Sequence, residues 1–373
     1  MNLFEVNIPN IILWLAFGFF VIQLKFILML HVRMMRKGKR ENESYDHKPI
    51  TVVVCARNEE QNLVEYVPKL LAQNYPKYEV LLINDRSWDE TWDVMEAMSR
   101  KDDRIKLVNI PDAGKDGFAK KFALTVGIKA AKYDRLVFID ADCYPSSVNW
   151  LAKIGEKFSD HKNIVLGAGA YEREKGFLNK LIRFDTNVIA LQYLSYAKAG
   201  LPYMGVGRNL GYKNELYDSV RGFKNHYHIK SGDDDLFVNE AANSKNTSVC
   251  FDSDAITLSA PEKTISDWIR QKRRHLSTGG FYKLKHKILL FMWPVSYLLL
   301  LIFGVASIIT HSLWYLPAGL IGIRIVLHWM TCWRVFKIMQ SKDVWVWVPL
   351  LEIFMLFLSP YLVLTNKRYN KQY

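Results

Sequence analysis

The chain has 373 residues, 50% of them hydrophobic and 11 of them Trp, with a formal net charge of +13. That length allows two or three domains, and the apolar content is too rich for a purely soluble enzyme, because the excess gathers at the two ends. Much of the positive charge flanks those ends, in residues 33–40 and 270–287, so anionic lipid headgroups explain it better than nucleic acid does.

Residues 8–30 form the first apolar run, long enough to cross a bilayer core of about 30 Å. Glu5 stands where a signal peptide would carry positive charge, and no small-x-small cleavage site comes after it. The run is therefore expected to stay as an anchor over residues 1–32, with Lys25 within snorkelling reach of its cytoplasmic end. The basic stretch His31-Val-Arg33-Met-Met-Arg36-Lys37-Gly-Lys39-Arg40 opens a juxtamembrane linker, residues 33–49. Its charge places residues 50–280 on the cytoplasmic side of a cell (inner) membrane.

Short β-branched runs then alternate with helical patterns: Ile50-Thr-Val-Val-Val-Cys55, Tyr78-Glu-Val-Leu-Leu-Ile83, Ile105-Lys-Leu-Val-Asn-Ile110 and Arg135-Leu-Val-Phe-Ile139. This alternation predicts βαβ units and a parallel sheet buried on both faces. Asn58 is expected to cap a helix starting at Glu59, and Ser87-Trp-Asp-Glu90 to form a capping box for the next. Arg57, Asn58, Glu59, Asp85, Asp140 and Asp142 all fall at strand C-terminal ends, the edge where open α/β sheets bind ligands. Asp140-Ala141-Asp142 offers two carboxylates for a hard cation and so for a metal–diphosphate clamp, although alone such a pair is more often a turn plus a helix cap. Four cysteines, Cys55, Cys143, Cys250 and Cys332, have neither metal-ligand spacing nor pairing logic and are expected as reduced thiols.

Taken together, Val-Cys-Ala-Arg57-Asn-Glu59, Ile-Asn-Asp85-Arg-Ser, Lys120-Lys-Phe-Ala-Leu124 and Phe-Ile-Asp140-Ala-Asp142 resemble the nucleotide-sugar half of inverting family 2 glycosyltransferases. The resemblance continues through Gly205-Val-Gly207-Arg-Asn209-Leu-Gly211, Ser231-Gly-Asp233-Asp234-Asp235-Leu236 and Gln271-Lys-Arg-Arg274-His275, and covers roughly residues 50–280. It implies an α/β fold with a GT-A-type Rossmann-like nucleotide-sugar domain. It also implies Mg²⁺ or Mn²⁺ on Asp140 and Asp142, and a donor site of Arg57, Glu59, Asp85, Lys120, Asp140 and Arg274. Gly205, Gly207, Asn209, Gln271 and His275 are implied on the acceptor side. The general base is implied at Asp234, or at Asp233 if the register is anchored on Leu236. His275 stands where the family's Gln-x-x-Arg-Trp signature has Trp, which weakens a processive-synthase reading. A basic interfacial helix near residues 264–287 is expected from the charge pattern in any case.

Three further apolar blocks, residues 288–310, 313–333 and 344–364, complete one N-terminal and about three C-terminal transmembrane segments, the last three within 288–373. Arg324 and Glu352 interrupt two of them, and a helix-packing contact is the expected reason, with a lipid-phosphate or glycan path as the sharper one. Trp314, Trp345 and Trp347 suit an interfacial belt. Four spans would leave the positive tail 366–373 outside; either the tail obeys that odd parity, or one C-terminal block is re-entrant or interfacial, with the last block, which carries Pro349, Glu352 and Pro360, as the first candidate.

The expectation is a multi-pass inverting glycosyltransferase moving a sugar, hexosyl or N-acetylhexosaminyl, from a nucleotide-diphosphate sugar, with UDP-sugars foremost, to a lipid-linked or glycan acceptor. A processive polysaccharide synthase, a polyprenyl-phosphate sugar transferase and a non-catalytic membrane scaffold are the alternatives.

Overall fold

The computed structural model describes residues 8–35, 47–111, 120–229 and 231–369. The basic stretch 36–40, most of the expected linker and the tail end 370–373 lie outside them.

The four expected strands form: β1 (Ile50–Ala56), β2 (Tyr78–Asp85), β3 (Ile105–Ile110) and β4 (Arg135–Phe138). Six shorter ones come after them: β5 (Cys143–Pro145), β6 (Ile164–Leu166), β7 (Gly169–Tyr171), β8 (Leu210–Lys213), β9 (Thr247–Val249) and β10 (Thr257–Ser259). The main sheet runs β3-β2-β1-β4-β8-β6-β9, and a small sheet runs β5-β10-β7. β1 to β4 are mutually parallel, while β8 is antiparallel to both β4 and β6. Alternate residues of the parallel strands feed separate cores. Val53, Leu81 and Phe138 enter one; Val52, Val80 and Val137 enter the other. That is why these strands carry almost unbroken Val/Ile/Leu runs.

Both cap expectations fail, for one reason. Asn58 adopts φ 58° and its Oδ1 accepts from Trp88 N at 3.0 Å, while its own N–H donates to Ser87 Oγ at 3.1 Å. The two loops at the ends of β1 and β2 thus pin each other, and the helices begin at Glu60 and Thr91 without side-chain caps from Asn58 or Ser87. The basic helix is Ile265–Leu276, capped by Thr264 Oγ1 accepting from Asp267 N at 3.1 Å.

Four helical segments are long and apolar enough to cross a membrane: Ile8–Met34, Leu284–Thr310, Tyr315–Ile338 and Val348–Thr365. The last is a continuous helix. Pro349 falls in the first turn, where its missing N–H costs nothing, and Pro360 is accommodated within the helix. Arg324 explains Glu352: its guanidinium grips the carboxylate at 2.5 and 2.7 Å and donates through Nε to Gln23 Oε1 at 3.0 Å. The interrupting charges are therefore a packing contact among three apolar helices.

Helix Phe177–Lys198 joins the two halves. Its Arg183 donates to both oxygens of Asp343 at 2.9 and 3.0 Å, between the last two apolar helices. Its Asp185 holds Lys272 of the basic helix at 2.6 and 2.7 Å. One hydrophobic cluster runs from Leu81 and Phe138 through Phe184 and Leu191 to Val335 and Phe336.

Candidate functional site

A cleft of about 330 Å³ opens at the C-terminal ends of β1 and β4, lined among others by Cys55, Lys120, Asp140, Gly207, Asp233 and Asp234. Lys120, first residue of helix Lys120–Ala130, places Nζ 2.6 Å from Asp140 Oδ1 and 3.6 Å from Asp233 Oδ2. Enclosure by the cleft opposes the lysine's charge, but Asp140 and Asp233 outweigh it and hold the ammonium well above its usual range. Asp140 is likewise opposed by enclosure, yet Lys120, with Arg208 and Arg274 behind it, draws its carboxyl below the usual range.

Asp142 is exposed, and ligand atoms of Asp140, Asp142 and Cys143 lie within 4.8 Å of one another. Cys143 donates to Asp142 Oδ1 at 3.3 Å, and burial, then Asp142, push its thiol well above normal. The protonated thiol is a poor ligand for a hard cation, whereas two adjacent carboxylates suit Mg²⁺ or Mn²⁺ and leave positions for diphosphate oxygens. All four cysteines are free thiols.

The triple Asp occupies one turn in three different ways. Gly232, at φ +93°, supplies the backbone conformation that carries the loop into it. Asp234 caps helix Asp235–Ala241: Oδ1 accepts from Asp235 N at 2.7 Å and Oδ2 from Gly207 N at 2.6 Å. Burial, then Asp233 and Asp235, push its carboxyl up to about 8. Asp235 is buried and accepts from Tyr282 Oη at 2.7 Å and from Thr278 Oγ1, tying the turn to the end of the basic helix. Asp233 faces Lys120 across the cleft.

The expected donor residues surround the cleft on neighbouring loops. Arg57 lies 5.4 Å from the ring of Trp88, an indole left 77% exposed. Asp85 is buried against Arg86 Nε at 2.8 Å. Glu59 accepts from Asn62 Nδ2 at 2.6 Å; burial raises its carboxyl, against that hydrogen bond, with help from Asp142 and Asp140.

The acceptor-side group divides. Gly207 faces the cleft, but Gly205 and Asn209 do not. A Cβ on Gly205 would meet Leu166, Val238 and Leu210 at 3.1 to 3.2 Å, and Asn209 is fully buried, bridging the carbonyls of Ala168 and Ala255 while accepting from Trp150 Nε1. These two residues pack the core. Gln271 accepts from Tyr171 Oη at 3.2 Å and donates to Glu262, while Arg274 and His275 are exposed at the end of the basic helix.

Three contributors escape a reading of the sequence. Arg208 donates to Gly169 O and Ser259 Oγ at 2.8 and 3.0 Å, lies over the Tyr171 ring, and adds positive potential at Asp140. Trp88 offers an exposed aromatic face beside Arg57. Lys121, buried, donates to the carbonyls of His226, Ile229 and Ser231 at 2.7, 2.9 and 2.8 Å, fastening the segment that leads to Asp233.

The family model described as glycosyl transferase family 2 matches residues 51–221, the segment that builds most of this cleft. The chain carries a glycosyl transferase family 2 domain. Among its relatives, the probable glycosyltransferase YdaM of Bacillus subtilis is 25% identical over 299 residues, 71% of this chain and 68% of that one. An uncharacterized glycosyltransferase of Haemophilus influenzae is 28% identical over 144 residues, 39% of this chain, and the match spans only 41% of that relative's length. The fold is similar to that of the mannosyltransferase PcManGT from Pyrobaculum calidifontis, solved in complex with GDP-Man and Mn²⁺. That likeness has a TM-score of 0.57 at 18% identity and covers 90% of this chain and 99% of the other. The family 2 domain thus has a GT-A fold, with apolar helices on both sides of it in the chain.

Proposed function

We propose that the protein is a membrane-integrated inverting glycosyltransferase, moving a sugar from a nucleotide-diphosphate sugar to a lipid-linked or membrane-proximal acceptor from the cytoplasmic face. The observation that carries the reading is the meeting of Asp140, Asp142, Lys120 and Asp233 at one cleft on the ligand-binding edge of the sheet. Relatives that are glycosyltransferases and a mannosyltransferase neighbour bound to GDP-Man and Mn²⁺ support it.

Asp140 and Asp142 would hold Mg²⁺ or Mn²⁺, which when bound supplies positive charge to the departing diphosphate. Lys120 adds a second positive charge on the same side, and its grip on Asp140 fixes that carboxylate in place. Trp88 and Arg57 form a face for the nucleobase, and Asp85, held by Arg86, receives ribose or base donors. The base role falls to Asp233, the alternative register. Asp233 and Asp234 both line the cleft, but Asp234 and Asp235 spend their oxygens on backbone amides, Thr278 and Tyr282, whereas Asp233 faces the Lys120 ammonium at 3.6 Å. Asp233 takes the acceptor hydroxyl proton as the acceptor oxygen bonds to the anomeric carbon and the bond to the diphosphate oxygen breaks on the opposite face, which inverts the centre.

Purified protein in detergent, given UDP- and GDP-sugars with Mn²⁺ and a lipid acceptor, should release nucleoside diphosphate. Asp233→Asn should lower turnover by at least about a hundredfold with donor binding retained. Unchanged turnover in that variant would remove Asp233 from the mechanism.

A further inference from the structure

We infer that Tyr282 is a positioning residue for the aspartate turn, fastening the carboxylate proposed as the base to the point where the chain enters its first C-terminal apolar helix. The inference rests on the proposed glycosyl transfer and names a residue that acts on it through another.

Tyr282 lies in the connector 277–283, between the basic helix Ile265–Leu276 and helix Leu284–Thr310. Its neighbours face outward. Phe281 is 58% and Leu284 68% exposed, with Lys283, Lys285 and Lys287 exposed around them. Apolar side chains set among lysines at the start of a span-length helix suit the headgroup layer of a bilayer. Tyr282 instead is buried, and its Oη donates to Asp235 Oδ2 at 2.7 Å. Thr278 Oγ1, from the same connector, donates to the same oxygen.

One helical turn further on, Asn239 repeats the attachment. Its Oδ1 accepts from Lys283 N at 3.0 Å, and its Nδ2 donates to Tyr203 O at 2.7 Å and stands 3.0 Å from His286 Nδ1. Asp235 and Asn239 share one face of helix Asp235–Ala241, so that face is fastened along its length to residues 278–286.

A contact made only for packing would not need a carboxylate, because burying one costs stability unless donors meet its oxygens. Asp235 accepts from Leu236 N at 2.7 Å within its own helix and, among the described residues, from Tyr282 and Thr278 outside it. Asp234, between Asp235 and Asp233, is itself held at Gly207 N and Asp235 N. A shift at Asp235 therefore reaches Asp233 without a flexible joint between them, and a misplacement of about 1 Å at a reacting group can cost about a hundredfold in rate.

The test compares the unaltered protein with Tyr282→Phe, which keeps the ring and loses the hydroxyl, and with Tyr203→Phe, whose hydroxyl pairs with Gln192 instead. Tyr282→Phe should lower kcat at least about tenfold while the donor KM stays within about twofold, and amide hydrogen exchange across residues 231–241 should quicken. Tyr203→Phe should change neither. Combining Tyr282→Phe with Asp235→Asn should give a kcat close to that of Asp235→Asn alone, since both changes break one link. A double variant showing the product of the two single effects would overturn the inference. So would unchanged kcat in Tyr282→Phe, or a fall in kcat with exchange quickened evenly over the whole chain. No turnover in the unaltered protein with any nucleotide sugar would overturn the proposed reaction and the positioning role with it, whereas normal turnover in Tyr282→Phe overturns the inference alone.

Discussion

Lys121 Nζ lies 2.8 Å from the carbonyl oxygen of Ser231, two residues before the aspartate proposed as the base. The same ammonium holds His226 O and Ile229 O. Lys121→Met should therefore loosen the approach to Asp233. Hydrogen bonds to a charged donor are worth about 1.5–3 kcal/mol each, and several are lost together. We expect a lower Tm and a turnover rate down by at least about tenfold with donor affinity nearly unchanged, the pattern of a residue that acts through another. Steady-state kinetics with donor titration distinguish this from a general loss of folded protein.

Stability should depend on pH through Asp234. Its folded carboxyl is raised to about 8, above the unfolded carboxylate range. The stability it contributes is then complete below the unfolded value and fades as pH rises through about 8. Asp234→Asn, uncharged throughout, should flatten the fall of Tm between about pH 4 and 8. Parallel Tm–pH curves for the two proteins would show that Asp234 does not titrate this way.

Metal removal should stop the reaction without unfolding the chain. Asp142 is exposed, so Asp142→Asn should leave Tm within about 1 °C while activity is lost, and EDTA should reproduce that loss in the unaltered protein. Full turnover in EDTA would exclude a metal-assisted leaving group.

Arg324→Met should be the most damaging single change among the apolar helices, because it takes the bidentate partner from the Glu352 carboxylate and leaves it to His328, at 3.3 Å. Breaking a buried pair costs about 3–5 kcal/mol, whereas replacing both members is often neutral. The double variant Arg324→Met/Glu352→Met should recover most of the lost Tm in detergent.

Reporter fusions check the orientation. A fusion after residue 45 should behave as cytoplasmic, and one at Tyr373 as being on the opposite side, since three span-length helices come after the family 2 domain. A cytoplasmic signal at both points would mean that one of those helices does not cross.

What could be read from the sequence was what local pattern encodes. Val/Ile/Leu runs announced β1 to β4, and Asp140 and Asp142 after β4 pointed to the sheet edge where the cleft opens, because strand ends bring such residues together whatever surrounds them, whereas Lys120 came only with the family resemblance. Lys120 and Lys121 are identical neighbours in sequence, yet helical geometry sends one ammonium to Asp140 and the other to the loop carbonyls. Asn58 and Asn209 failed as expectations because their partners, Trp88 in one case and Ala168, Ala255 and Trp150 in the other, are fixed only by the packed fold. The different surroundings of three adjacent aspartates likewise depend on where one helix begins.

Helix Phe177–Lys198 is bolted at Arg183 to Asp343 and at Asp185 to Lys272. In a bilayer those two clamps give the cleft a single working height. For the lipid-linked acceptor proposed above, the hydroxyl would have to reach that elevation, and the length of the spacer between lipid anchor and reacting sugar would then act as a ruler that rejects chains too short or too long by reach alone.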